Sequence, residues 1–161
     1  MRFMQAMRKK IDPSLHQHRA AERGEWLELE SSAEIEITSE DSAHPIESAL
    51  LPGTGAGWKA SQPGTQRMRI LFDDPQKLSR IYMVFKEEDQ SRTQEFVLRW
   101  STGENQPLQE IVRQQYNFTP RSTEVEDYAV ELNGVKTLDL EINPSISGGD
   151  VRASLSEMRL R

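Results

Sequence analysis

Apolar and polar residues alternate over most of this chain from residue 26 onward. Leu27 and Leu29 alternate with Glu28 and Glu30, and Ile35 and Ile37 with Glu34 and Glu36. Met68, Ile70 and Phe72 then alternate with Arg67 and Arg69, and the run from Leu78 to Phe85 is apolar on both parities. Phe96, Leu98 and Trp100 share one face, and Leu108 to Val112 repeats the pattern more weakly. Tyr128, Val130 and Leu132 form another set, as do Leu138, Leu140 and Ile142. A period of two places side chains on opposite faces of a strand, so each segment predicts a half-buried strand and 78–85 a more central one. In the last run Val151, Ala153 and Leu155 share a parity, whereas Met158 and Leu160 fall on the other. A β-bulge near Ser156 would absorb that slip. After residue 24 no stretch holds a helical period over three turns, so the pattern predicts an all-β sandwich or barrel of about eight strands.

The connections differ in character. If successive strands reverse direction, one end of the sandwich receives 74–77, 102–107 and 133–134. These are short segments of turn residues: Asp-Pro-Gln-Lys, a Gly-containing loop and an Asn-Gly hairpin turn. The other end receives 39–65, 86–93, 117–123 and 143–150, which are longer and chemically mixed. Long loops carried on a rigid scaffold are where binding resides, so this second end is the expected site. Its candidate contacts are Trp58, Lys59, Glu88, Arg92, Thr93, Asn117, Arg121 and Asp150, with Trp58 stacking and the others bonding hydroxyls. The alternative for Trp58 is a plug that closes the end of the core. The alternative for the arginines is pairing with surface carboxylates.

Charge divides the chain in two. Residues 1–24 carry six Lys/Arg against Asp12 and Glu22, whereas the whole chain has a net charge of −6. The segment 1–24 therefore reads as a basic N-terminal arm ahead of an acidic domain at 25–161. Within the arm the spacing of Phe3, Met7, Ile11 and Leu15 is compatible with a short helix. An acidic body argues against nucleic-acid binding by the sandwich. No apolar run reaches the length of a membrane span, and the arm lacks the unbroken apolar stretch of a secretory signal.

The chain contains no cysteine, which removes disulfides, thiolate metal sites and a cysteine nucleophile. No Gly-x-Ser-x-Gly or His-Glu-x-x-His motif is present, so catalysis is not expected. The Gly53–Gly57 run is not followed by a helical pattern and so is no phosphate cradle. His16 and His18 lie in the arm and His44 stands alone in the body, which gives no metal-ligand set. No cofactor is expected.

Several stretches together resemble the discoidin, or coagulation-factor type C, domains of the galactose-binding-like superfamily. They are Glu36-Ile37-Thr38-Ser39, Gly57-Trp58-Lys59-Ala60-Ser61, Gln66 to Asp73, Arg80 to Val84, Glu95 to Ser101, and Ser154 to Leu160. The resemblance implies a jelly-roll and a non-catalytic module that binds a sugar or other polyhydroxylated ligand through loops at one end. A protein-interaction or homo-oligomerisation domain is the alternative. The resemblance also implies a calcium ion in the loop before the Trp, but Leu50 to Gly57 offers no acidic side chain, only Glu40, Asp41 and Glu47 nearby. Calcium usually takes several carboxylates, so no metal is expected. The family's terminal cysteines are absent as well, which fits a cytoplasmic version.

Overall fold

The computed structural model describes residues 26–53, 55–103 and 105–161. The basic arm at 1–24, with the short helix considered for it, lies outside the described residues. In chain order the elements are α1 (Leu29–Ser32), β1 (Ala33–Ile37), α2 (Glu47–Leu50), β2 (Trp58–Pro63), β3 (Gln66–Glu87), β4 (Arg92–Ser101), β5 (Gln109–Phe118), β6 (Ser122–Asn143), β7 (Arg152–Leu155) and β8 (Glu157–Leu160). Every named ladder is antiparallel. The expected eight-stranded sandwich is present, and among the described residues helix is confined to two single turns.

Its architecture derives from β3 and β6, which pair with one another along almost their full lengths, from Gln66↔Ile142 to Glu87↔Ser122. Gln66 and Phe85 lie 19 residues apart on β3, about 60 Å if the strand were straight. Yet Phe85 stacks on Phe96 with ring centroids 5.5 Å apart, and Phe96 pairs with Ile142, the partner of Gln66. The β3–β6 ribbon must therefore fold back on itself. Its first half continues into β1 on one side and β4–β5 on the other, and its second half carries β8. The two layers face each other across a core in which Ile70, Leu78, Ile81, Met83, Leu98, Leu138, Leu140 and Met158 are buried.

The fold in the ribbon lies where the register slips, between Leu71↔Thr137 and Arg80↔Ala129. Extra residues on one strand sharpen its twist and bend. Here Pro75, which has no N–H to lose from a ladder, and Gly134, at φ +73°, occupy the bend. The structure thus corrects the reading of 74–77 and 133–134 as turns between separate strands. Both are bends within continuous strands, and the pairing runs through them. They still cap the short-connection pole. The Lys136 ammonium donates to the Asp73 carbonyl, and a Cβ at Gly134 would lie 3.9 Å from the Thr102 methyl of the 102–107 loop.

Two further expectations change. The Leu27–Leu29 alternation does not make a strand. Leu27 donates its N–H to the Leu160 carbonyl, and the chain then turns through α1 with Leu29 buried beneath it. Two apolar residues followed by Ser31 and Ser32 are too short a run to hold a ladder. The long segment 39–65 is also not all loop, because it contains α2 and β2. In β2 Trp58 and Ala60 are buried and Lys59 exposed; the alternation is correct but very short. Near Ser156 the parity slip is where the chain changes partners, β7 pairing with β2 and β8 with β3. Ser156 itself donates its N–H to the Val84 carbonyl.

Phe85 joins the two layers near the pole of long loops. Phe85→Ala should cost about 3–5 kcal/mol in urea denaturation, whereas Val125→Ala, at a side chain 49% exposed, should change stability by less than about 0.5 kcal/mol.

Candidate functional site

Once the ribbon has folded over, its free ends and the starts and ends of the shorter strands meet at the pole opposite the bend. Arg92 gathers them. Its Nε donates to Glu87 Oε1 at 2.5 Å, and its Nη1 donates to the Pro144 carbonyl at 2.8 Å and Gln94 Oε1 at 3.1 Å. Its guanidinium lies 4.5 Å from the centre of the Phe118 ring. One side chain, 3% exposed, thereby links the β3–β4 turn, the segment after β6 and the end of β5. Arg121, at φ 59°, donates its N–H to the Glu88 carbonyl and brings the β5–β6 turn against the β3–β4 turn. Ile146 donates to the Thr93 carbonyl. The four long connections do converge on one pole.

Between them lies a cleft of about 470 Å³, within the size range of small-molecule sites. Its β2–β7 side carries Lys59 and Arg152, the segment before α2 adds His44, and the end of β3 and the β3–β4 turn contribute Lys86, Glu88, Asp89 and Gln90. Asp150, Ser154 and Ser156 complete the polar lining. His44 is fixed by a pair of backbone bonds: its N–H donates to the Asp41 carbonyl, and its carbonyl accepts from the Lys59 N–H. The Ala43 N–H and, more weakly, His44, Arg152 and Lys59 hold the Asp41 carboxyl below the usual carboxylate range, against the opposing effect of burial. The His44 Nδ1 has no hydrogen-bond partner among the described residues. The lining thus carries both donors and acceptors.

Of the residues expected from sequence, Trp58, Lys59, Glu88, Arg92 and Asp150 line the cleft, but only three of them present a side chain to it freely. Trp58 is 3% exposed, pairs with Leu155 and donates its indole N–H to the Ser39 carbonyl at 3.1 Å. It is the plug of the core's end, and a ring so covered has no face left for stacking. Arg92 is committed to its internal partners. Thr93 and Asn117 are not brought to the cleft. They pair across β4 and β5, with the Thr93 hydroxyl bonded to Asn117 Oδ1 at 2.6 Å, because β5 extends to Phe118 and Thr93 points away from the face that buries Arg92. Arg121 contributes its backbone, while its side chain stays outside. Sequence reading missed His44, Lys86, Asp89, Gln90 and Arg152 as lining. Lys86, Asp89 and Gln90 lie in the 86–93 connection expected at this end, but nothing local to His44 or Arg152 distinguishes them from other polar residues.

Gly57 holds the approach to the plug. It sits at φ +73°, and a Cβ there would lie 2.9 Å from the Leu155 carbonyl oxygen, so only glycine lets the loop enter β2 this closely.

The calcium implied by resemblance does not fit these residues. The carbonyls of Ala49 and Leu51, on either side of the end of α2, accept from the Arg159 guanidinium at 2.9 and 3.5 Å. Glu40 accepts from the Ile46 N–H and Asp41 from the Ala43 N–H. Among the described residues no three acidic or histidine side chains converge.

Burial pushes the Glu87 carboxyl up, but the hydrogen bond from Arg92, the N–H groups of Asp89 and Gln90 and the Arg92 charge outweigh it and hold the group below its ordinary 4.5. A depressed carboxyl stabilises the fold above its unfolded pKa, and that share is lost as pH falls below 4.5 through the depressed value. Glu87→Gln should therefore lower stability at neutral pH by about 1–3 kcal/mol. It should also flatten the acid limb of stability in urea melts recorded as pH falls.

No protein-family profile matches this chain, and no curated protein sequence does. Solved structures do. A chain that carries two family 32 carbohydrate-binding modules of Clostridium perfringens ZmpB is similar with a TM-score of 0.64 at 13% identity, over 90% of this chain and 38% of that one. The family 32 module of C. perfringens NanJ, in complex with galactose, gives 0.58 at 12% identity over 80% and 97%. A pectin-binding carbohydrate-binding module gives 0.61 at 14% identity over 81% and 91%. At such identities the likeness is one of fold alone: the chain has the β-sandwich fold of these carbohydrate-binding modules.

Proposed function

We propose that this chain is a non-catalytic module that takes a sugar or similar polyhydroxylated ligand in the cleft at the long-loop pole. The observation that carries the reading is the cleft itself. Exposed Lys59, Glu88, Asp89, Asp150 and Arg152 surround an opening of sugar size, and their donors and acceptors match the alternating demands of adjacent hydroxyls. Modules of the same fold were solved with galactose, N-acetylgalactosamine and an unsaturated mannuronic acid, which supports a carbohydrate as the ligand class. No catalytic pair is needed for such a role. Because Trp58 is sealed beneath the cleft, recognition here rests on hydrogen bonds and charge. The cytoplasmic placement stands only on the cysteine-free composition.

Arg152→Ala and Glu88→Ala should each weaken glycan binding about tenfold, or about 1.4 kcal/mol, with unchanged thermal melts because both side chains are exposed. Calorimetry with galactose, N-acetylgalactosamine and uronic-acid oligosaccharides reads the loss. A glycan array without signal, beside a solution mass showing a stable dimer, would replace this reading with an oligomerisation domain.

A further inference from the structure

We propose that Arg159 is a built-in cation that fastens the loop entering the site, so that this domain holds its shape without calcium. The short helix α2 ends with carbonyls that no residue of its own turn satisfies, as every helix does. The Ala49 and Leu51 carbonyls point at the Arg159 guanidinium, which donates to the first from Nη1 at 2.9 Å and to the second from Nη2 at 3.5 Å. The same Nη1 donates to the Met158 carbonyl at 2.7 Å. Glu157 balances the charge, its carboxylate 3.6 Å from Nε. Arg159 is therefore held at both faces of its fork, with only 16% of its side chain exposed.

The position matters because α2 leads directly into the floor of the cleft. The chain runs from Leu51 through the glycine-rich segment to Gly57 and Trp58, which close the core beneath that floor. Fixing the Ala49 and Leu51 carbonyls fixes the start of that segment, and Gly57 against Leu155 fixes its end. A divalent ion binding the same carbonyls would stand about 2.3–2.6 Å from oxygen and require roughly six to eight oxygen ligands. Here the oxygens are already taken by nitrogen, and the loop supplies no carboxylate. A guanidinium is permanently charged and planar, and so performs the loop-fastening task at any metal concentration.

The test compares melts of the full chain in excess EDTA and in millimolar calcium chloride, with calcium titrated by calorimetry. The expected result is melting within about 1 °C in both and no heat of binding. Arg159→Met, which keeps the length but removes the charge and donors, should melt about 4 °C or more lower, with Arg159→Lys between the two. A chelator-induced drop in the wild-type melt, or a stoichiometric heat of calcium binding, overturns the proposal. So does an Arg159→Met melt equal to wild type; if that variant fails to fold, the two wild-type measurements decide. Cation independence and sugar binding are separate properties, and a chelator-sensitive melt sinks the first without touching the second.

Discussion

Two antiparallel strands of unusual length must stay paired while crossing from one layer of the sandwich to the other. A backbone N–H or C=O left unpaired in the interior costs about 1–3 kcal/mol, so β3 and β6 cannot simply break and restart. They bend together, with the extra residues of the register slips taking up the difference in path. Everything else is placed by that bend. Its apex collects the short connections, its free ends collect the long ones, and the cleft is the space those long ones leave.

Charge is used in two ways around this frame. At the open pole Arg92 and Glu87 form a covered pair whose remaining donors reach Pro144 and Gln94. On the other face of the large sheet, Asp139, fully buried, lies within 3.0–3.3 Å of the Nε atoms of Arg69 and Arg67. Arg99 bonds Glu141 beside them at 2.7 Å. Removing one member of a buried pair leaves an uncompensated charge, which costs far more than the pair contributes. Such pairs therefore specify an arrangement more than they stabilise it. In the first case the arrangement is the meeting of three connections; in the second it is the alignment of β3, β6 and β4.

The resulting site has a rigid base and an open rim. Trp58, Ala60, Leu155 and Met158 are buried below it, and Arg92 and Arg159 bind backbone carbonyls on its flanks. The exposed side chains of the β3–β4 turn and of Lys59 and Arg152 are then free to meet a ligand. The residue types that a reader of the sequence finds most eye-catching, Trp58 and Arg92, turn out to be the supports.

Period-two alternation by itself determined the strand class, most strand positions and the pole at which long connections gather, because facing core or solvent acts on each side chain locally. The parity slip at Ser156 was legible for the same reason. What only the tertiary structure decided was connectivity and partnership. An Asn-Gly pair can end a hairpin or, as here with Gly134 at φ +73°, bend a ribbon, and the choice depends on whether β3 continues opposite it. Likewise, Arg92 becomes a clamp, His44 and Arg152 become lining, and Arg159 becomes a fixed cation only when segments far apart in the chain are brought into contact. Those contacts are set by the packing of the whole core, which no short window of residues contains.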